Sequence, residues 1–128
     1  MSDDENQVLF ERLGGPDALA TIVGDMYHRV LSDPELGHFF EGVTMDRLQK
    51  MQYHFLASAF DGPVDYTGAE LTAIHAGRGI TGKHFATFCG HFADVLEERK
   101  VPARDIDDAL GRLAMFKDKI TGDANVDG

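Results

Sequence analysis

Cysteine is almost absent from this chain. Cys89 stands alone, so no internal disulfide can form, and it shares a helical face with Phe85, Phe88 and Phe92, which marks a buried structural thiol rather than a nucleophile. Cations are scarce as well: 12 Lys and Arg against 22 Asp and Glu leave a formal net charge of −10. Nucleic acids and anionic membranes, which are bound largely through Lys and Arg, are thereby disfavoured as partners. No apolar run is long enough to cross a membrane, and Met1-Ser2-Asp3-Asp4-Glu5 lacks the basic and apolar regions of a signal peptide, so a reducing cytoplasm is the expected location. Repeats and linkers are missing too. A chain of 128 residues, 43% of them hydrophobic, is expected to be one domain over 1–128, with 1–7 and 123–128 as loose tails. The acidic charge, as in Glu97-Glu98 and Asp105, Asp107 and Asp108, reads as solvated outer helix faces.

Nothing in the chain alternates as a strand does, and the apolar spacing is helical throughout. A short helix over Val8 to Leu13 is broken by Gly14-Gly15. Pro16, at a position where its missing N–H costs nothing, opens a second helix to Leu31 with a stripe of Leu19, Ile22, Val23, Met26, Val30 and Leu31. Asp33-Pro34 starts a brief turn ending near Phe40. A further helix follows Thr44 to Phe60, with Met45, Leu48, Phe55, Leu56 and Ala59 on one face, and Asp61-Gly62-Pro63 ends it. Thr67 and Glu70 have the spacing of a capping box, so a short helix should start there, carry Leu71, Ile74 and His75 on one face, and stop at Gly77 and Gly79. Thr81 can cap the next helix. Pro102 opens the last one, read as continuous through Ile106, Ala109, Leu110, Leu113, Phe116 and Ile120. Periodicity alone thus gives an all-α domain.

Three polar residues break the apolar stripes: Tyr27 in the second helix, Gln52 in the helix after Thr44, and His75. Each alone could be a core residue satisfied by one hydrogen bond. Burying an unpaired amide or hydroxyl costs about 1–3 kcal/mol, so three such groups aimed inward suggest a shared occupant, and a haem liganded by His75 would use all of them. Other chemistry fits less well. Gly77-x-Gly79-x-x-Gly82 matches a dinucleotide fingerprint as a string but follows a capped helix instead of a strand. His84 and His91 are two helical turns apart, roughly 10 Å, too far to share one metal ion. His28, His38 and His54 fall on polar faces or in a connection.

From about Leu9 to Ile120 the sequence resembles the truncated haemoglobins, specifically their first group. The marks are Leu13-Gly14-Gly15, Tyr27 within Asp25-Met26-Tyr27-His28-Arg29-Val30-Leu31, Phe39-Phe40-Glu41-Gly42, Gly62-Pro63, Tyr66-Thr67-Gly68, the stretch His75-Ala76-Gly77-Arg78-Gly79-Ile80-Thr81, His84-Phe85 and Val101-Pro102. The resemblance implies an all-α truncated globin, a two-over-two helical sandwich around haem b. In that scheme His75 is the proximal iron ligand, Phe40 wedges against the haem plane, and Tyr27 and Gln52 form the distal hydrogen-bonding pair. Leu48 takes the distal position where vertebrate globins place a histidine. Ile80, Phe85 and Phe88 line the haem, and Arg47, Arg78 and Lys50 are candidate partners of its propionates. Attachment is noncovalent, since no Cys-x-x-Cys-His motif exists.

Three positions depart from the family pattern. Met26 stands where an aromatic commonly precedes the distal tyrosine, and Asp61 replaces the first residue of a usual Gly-Gly pair. Met51 stands where many members place a cation; its thioether could ligate iron, but packing along the haem edge is the reading preferred for it. The implied function is reversible binding of dioxygen and other diatomic gases such as NO and CO. Nitric oxide dioxygenation to nitrate is a further expectation, and it requires an external reductase because the chain has no flavin or nicotinamide domain. The alternative is six-coordinate electron transfer or redox and gas sensing. A monomer or weak dimer is expected.

Overall fold

The computed structural model describes residues 7–64 and 78–121. Among these, the chain forms α1 (Leu9–Arg12), α2 (Gly15–Ser32), a 3-10 turn (Gly37–Phe40), α3 (Met45–Ala59), α4 (Gly82–Glu98), α5 (Ala103–Ala114) and α6 (Lys117–Thr121), with no strand. The expected helix around His75 lies outside the described residues.

Helix α2 is the centre of the packing, laid against α3 on one side and α4 on the other, while α4 also packs on α5 and α6. Leu19, Ile22, Val23, Met26 and Val30, the expected stripe, are fully buried and meet Leu56, Phe60, Phe92 and Leu96 from the facing helices. Leu31 does not join them: one residue past Val30 the helix has turned about 100°, and Leu31 is exposed. The chain enters α2 through Gly14, whose φ of 114° is one that glycine alone adopts freely. Thr81 caps α4 as expected. Its hydroxyl accepts the His84 backbone N–H at 3.2 Å, and His84 Nδ1 accepts the Thr81 N–H at 3.0 Å, so a histidine takes the place of the usual Glu or Gln of a capping box.

Two expectations are corrected. The last helix is not continuous: the Met115 and Phe116 N–H groups bond to the carbonyls three residues back, the turn tightens, and α6 begins as a separate helix at Lys117. Asp105 is not on a solvated face but is buried, because Arg12 reaches it across the fold. The guanidinium donates to Asp105 at 3.0 Å, to Asp108 at 3.0 Å and to the Gln7 carbonyl at 2.7 Å. Asp108 is shared with Arg112, which also donates to Asp61 at 2.8 Å and to the Ala59 carbonyl at 3.0 Å. A continuous belt of charge therefore runs from α1 over α5 to the end of α3. Asp61 holds φ at 66°, the left-handed turn that the family's glycine would supply, and Arg112 secures its side chain.

Candidate functional site

A cavity of about 630 Å³ opens between α2, the 3-10 turn, α3 and α4, within the size range of cofactor sites. Ten of the residues singled out from the sequence line it: Tyr27 from α2, Phe40 from the 3-10 turn, Arg47, Leu48, Met51 and Gln52 from α3, Arg78 and Ile80 before α4, and Phe85 and Phe88 on α4. His75 lies outside the described residues. Lys50, exposed on α3, is not among the lining residues, and Leu56 is packed wholly into the core behind it.

The polar groups of the cavity are sorted by depth. Arg47, Arg78 and Thr44 are exposed, and so stand where the cavity meets solvent. Tyr27 is buried, its ring edge-on to Phe40 at 5.6 Å and to Phe88 at 6.3 Å between centroids. Burial pushes its phenol well above the ordinary tyrosine range, so the oxygen keeps its proton. Neither the Tyr27 hydroxyl nor the Gln52 amide has a hydrogen-bond partner among the described residues. Two unpartnered donors on a largely apolar wall, with cations at its mouth, suit a flat apolar group that carries carboxylates at one edge and a small polar ligand on one face.

Sequence reasoning missed several lining residues. Phe55, Leu113 and Ile120 appear in the right stripes but read there as plain core, and Leu36, Phe39 and Val43 sit in a segment too short for periodicity. His84 lines the cavity too, with Phe39 edge-on at 4.9 Å. Among the described residues no group of three or more His, Cys, Asp or Glu side chains could hold a metal ion.

Comparison with known proteins decides the family, for the bacterial-like globins match residues 8–122. The chain is a bacterial-like globin. It is 43% identical over 117 residues to the Group 1 truncated hemoglobin GlbN of Mycolicibacterium paratuberculosis, covering 91% of this chain and 86% of that one. Similarity to the Group 1 truncated hemoglobin of Tetrahymena pyriformis is 34% over 103 residues, 80% of this chain and 85% of the relative. The crystal structure of the Fe(III) form of the Tetrahymena pyriformis truncated hemoglobin superposes with a TM-score of 0.84 at 31% identity, over 89% of this chain and 97% of that one. The 2/2 hemoglobin of Synechococcus sp. PCC 7002, solved in the cyanomet state with covalently attached heme, gives 0.84 at 25% identity, over 91% and 99%. The two-over-two fold is thus confirmed: α2 and α3 form one layer of this globin, α4 and α5 the other. Its cofactor is haem, and the globin binds diatomic gas through it.

Proposed function

We propose that this globin holds dioxygen between Tyr27 and Gln52, with His75 as the proximal iron ligand, and consumes nitric oxide with it. Haem, when bound, supplies the iron that takes up the gas and the redox change that goes with it. The observation that carries the reading is Tyr27: a buried side chain whose protonated, unpartnered hydroxyl lines a largely apolar cavity. A phenol O–H held dry donates more strongly than the same group in water, because no solvent competes for its proton. Phe40 and Phe88 both pack edge-on against the ring, and Gln52 adds a second donor. Leu48, Ile80, Phe85 and Phe88 exclude water around the cofactor, while Arg47 and Arg78 at the mouth suit its two carboxylates. We assign Met51, half-buried on the same wall, to packing along the cofactor rather than to coordination.

Two such donors favour slow release of oxygen, which suits a reaction with oxygen better than its delivery. Nitric oxide, small and apolar, can enter a hydrocarbon-lined cavity. One NO, one O2 and one electron give one nitrate, the electron coming from a separate reductase. A reducing cytoplasm is the compartment this implies, and there Cys89, whose thiol burial raises to about 11, stays protonated. The test is multiple turnover with a reductase, excess oxygen and NO. Sustained NO loss above that of reductase alone is expected; consumption no faster than in the absence of the globin would leave gas binding as its function.

A further inference from the structure

Asp33 and His91 form a pair that the gas-binding chemistry does not use. His91 Nε2 lies 2.7 Å from Asp33 Oδ2, and both side chains are largely shielded from solvent. Asp33 is otherwise fully engaged. It ends α2, its Oδ1 accepts the Glu35 N–H at 2.8 Å, and its carbonyl accepts the Leu36 and Gly37 N–H groups at 3.1 and 2.8 Å. The His91 hydrogen bond, with help from the Glu35 N–H, holds its carboxyl below the ordinary range. The turn it builds folds tightly onto α2: a Cβ on Gly37 would meet the Leu31 carbonyl oxygen at 2.8 Å. That turn leads directly into Phe39 and Phe40.

On the other side of the bond, His91 sits on α4 three residues after Phe88, hence on the same helix face. Tyr27 contacts both elements, edge-on to Phe40 from the turn and to Phe88 from α4. Among the described residues the turn and the helix share one further ion pair, Lys83 with Glu35 at 3.9 Å, an exposed pair of the kind that contributes little, and one ring contact, Phe39 with His84 at 4.9 Å. His91 Nδ1 is buried and has no partner, so a well-packed apolar residue would serve stability as well or better. What an apolar residue cannot do is fix the turn against the helix in one direction and at one distance.

We propose that Asp33 and His91 are a positioning pair for Tyr27: their bond sets the gap between the Phe40-bearing turn and the Phe88-bearing helix, and so fixes where the Tyr27 hydroxyl points. This rests on the reading of Tyr27 as the donor to bound gas.

The test uses the holoprotein and its His91→Phe, His91→Gln and Tyr27→Phe variants. Phenylalanine keeps the ring's bulk and removes both the bond and the unpartnered nitrogen; glutamine can present an N–H near the position of Nε2. Three quantities are read: the C–O stretching band of the carbonmonoxy form, the Tyr27 ring proton shifts, and hydrogen exchange at the Gly37 N–H. In His91→Phe the band should move toward its position in Tyr27→Phe, the ring shifts should change, and Gly37 should exchange roughly tenfold faster. His91→Gln should return all three toward wild type. An unmoved C–O band and unmoved ring shifts in His91→Phe would overturn the proposal, as would a His91→Gln protein no closer to wild type. If His91→Phe fails to fold, Asp33→Ser carries the same expectations, since serine can still accept the Glu35 N–H but cannot reach His91. Failure of the wild type to take up hemin would instead overturn the gas-binding reading, while ring shifts and Gly37 exchange would still decide this one.

Discussion

The Tyr27 ring stands edge-on to Phe40, with centroids 5.6 Å apart and planes at 81°, and the same side chain brings a phenol to the cavity wall. Replacing that oxygen alone is the sharpest probe of the site. Tyr27→Phe should speed oxygen dissociation by roughly 10- to 150-fold, since a hydrogen bond to a charged acceptor is worth about 1.5–3 kcal/mol. Gln52→Ala should do less. Because the phenol's pKa is raised, the donor persists above the ordinary tyrosine range, and the wild-type off-rate should show no step near pH 10. Stopped-flow oxygen release in the variants and across pH checks both.

His75→Ala should lose the cofactor or bind it weakly, without disturbing the cavity lined by the other residues. Hemin titration followed by the visible spectrum gives the answer. A wild-type chain that stays colourless with hemin would remove the haem chemistry altogether.

Arg12→Leu should destabilise the fold by about 2–3 kcal/mol, because it strands the buried Asp105 carboxylate and cuts the link to Asp108. Urea unfolding should show a lower midpoint at an unchanged slope. Adding Asp105→Asn should recover part of the loss.

The Asp33 carboxyl is depressed in the folded chain by the His91 hydrogen bond and the Glu35 N–H. A carboxylate whose folded pKa lies below its unfolded value stabilises the fold fully above about pH 4, and that contribution is lost as pH falls further, toward the depressed value. Urea midpoints of wild type and Asp33→Asn should therefore differ at pH 6 and converge under acid.

Much of the site is legible in the sequence because polar residues inside apolar stripes have few places to go. Tyr27 and Gln52 are of this kind, and both line the cavity. Asp61 is visible as a turn residue, though its left-handed φ and its bond to Arg112 are not. What periodicity cannot reach is partnership across distance. Asp105 reads as a surface charge until Arg12, 93 residues away, is set beside it. His91 reads as a spare helix histidine until Asp33, 58 residues earlier, faces it. The break at Met115 is hidden for a different reason: Phe116 and Ile120 continue the spacing of Leu113, and only the tightened backbone bonds separate α5 from α6.

The belt from Asp105 through Arg12, Asp108 and Arg112 to Asp61 joins residues separated by 93, 96 and 51 positions. Such contacts cannot form while the helices assemble with their near neighbours, because closing so long a stretch of chain is unfavourable until most of the core exists. The belt is therefore expected to close late in folding. Interactions made after the rate-limiting step slow escape from the native state and leave its approach untouched, so this clasp of α1 and α5 with the end of α3 should set how long the globin keeps its shape more than how fast it finds it.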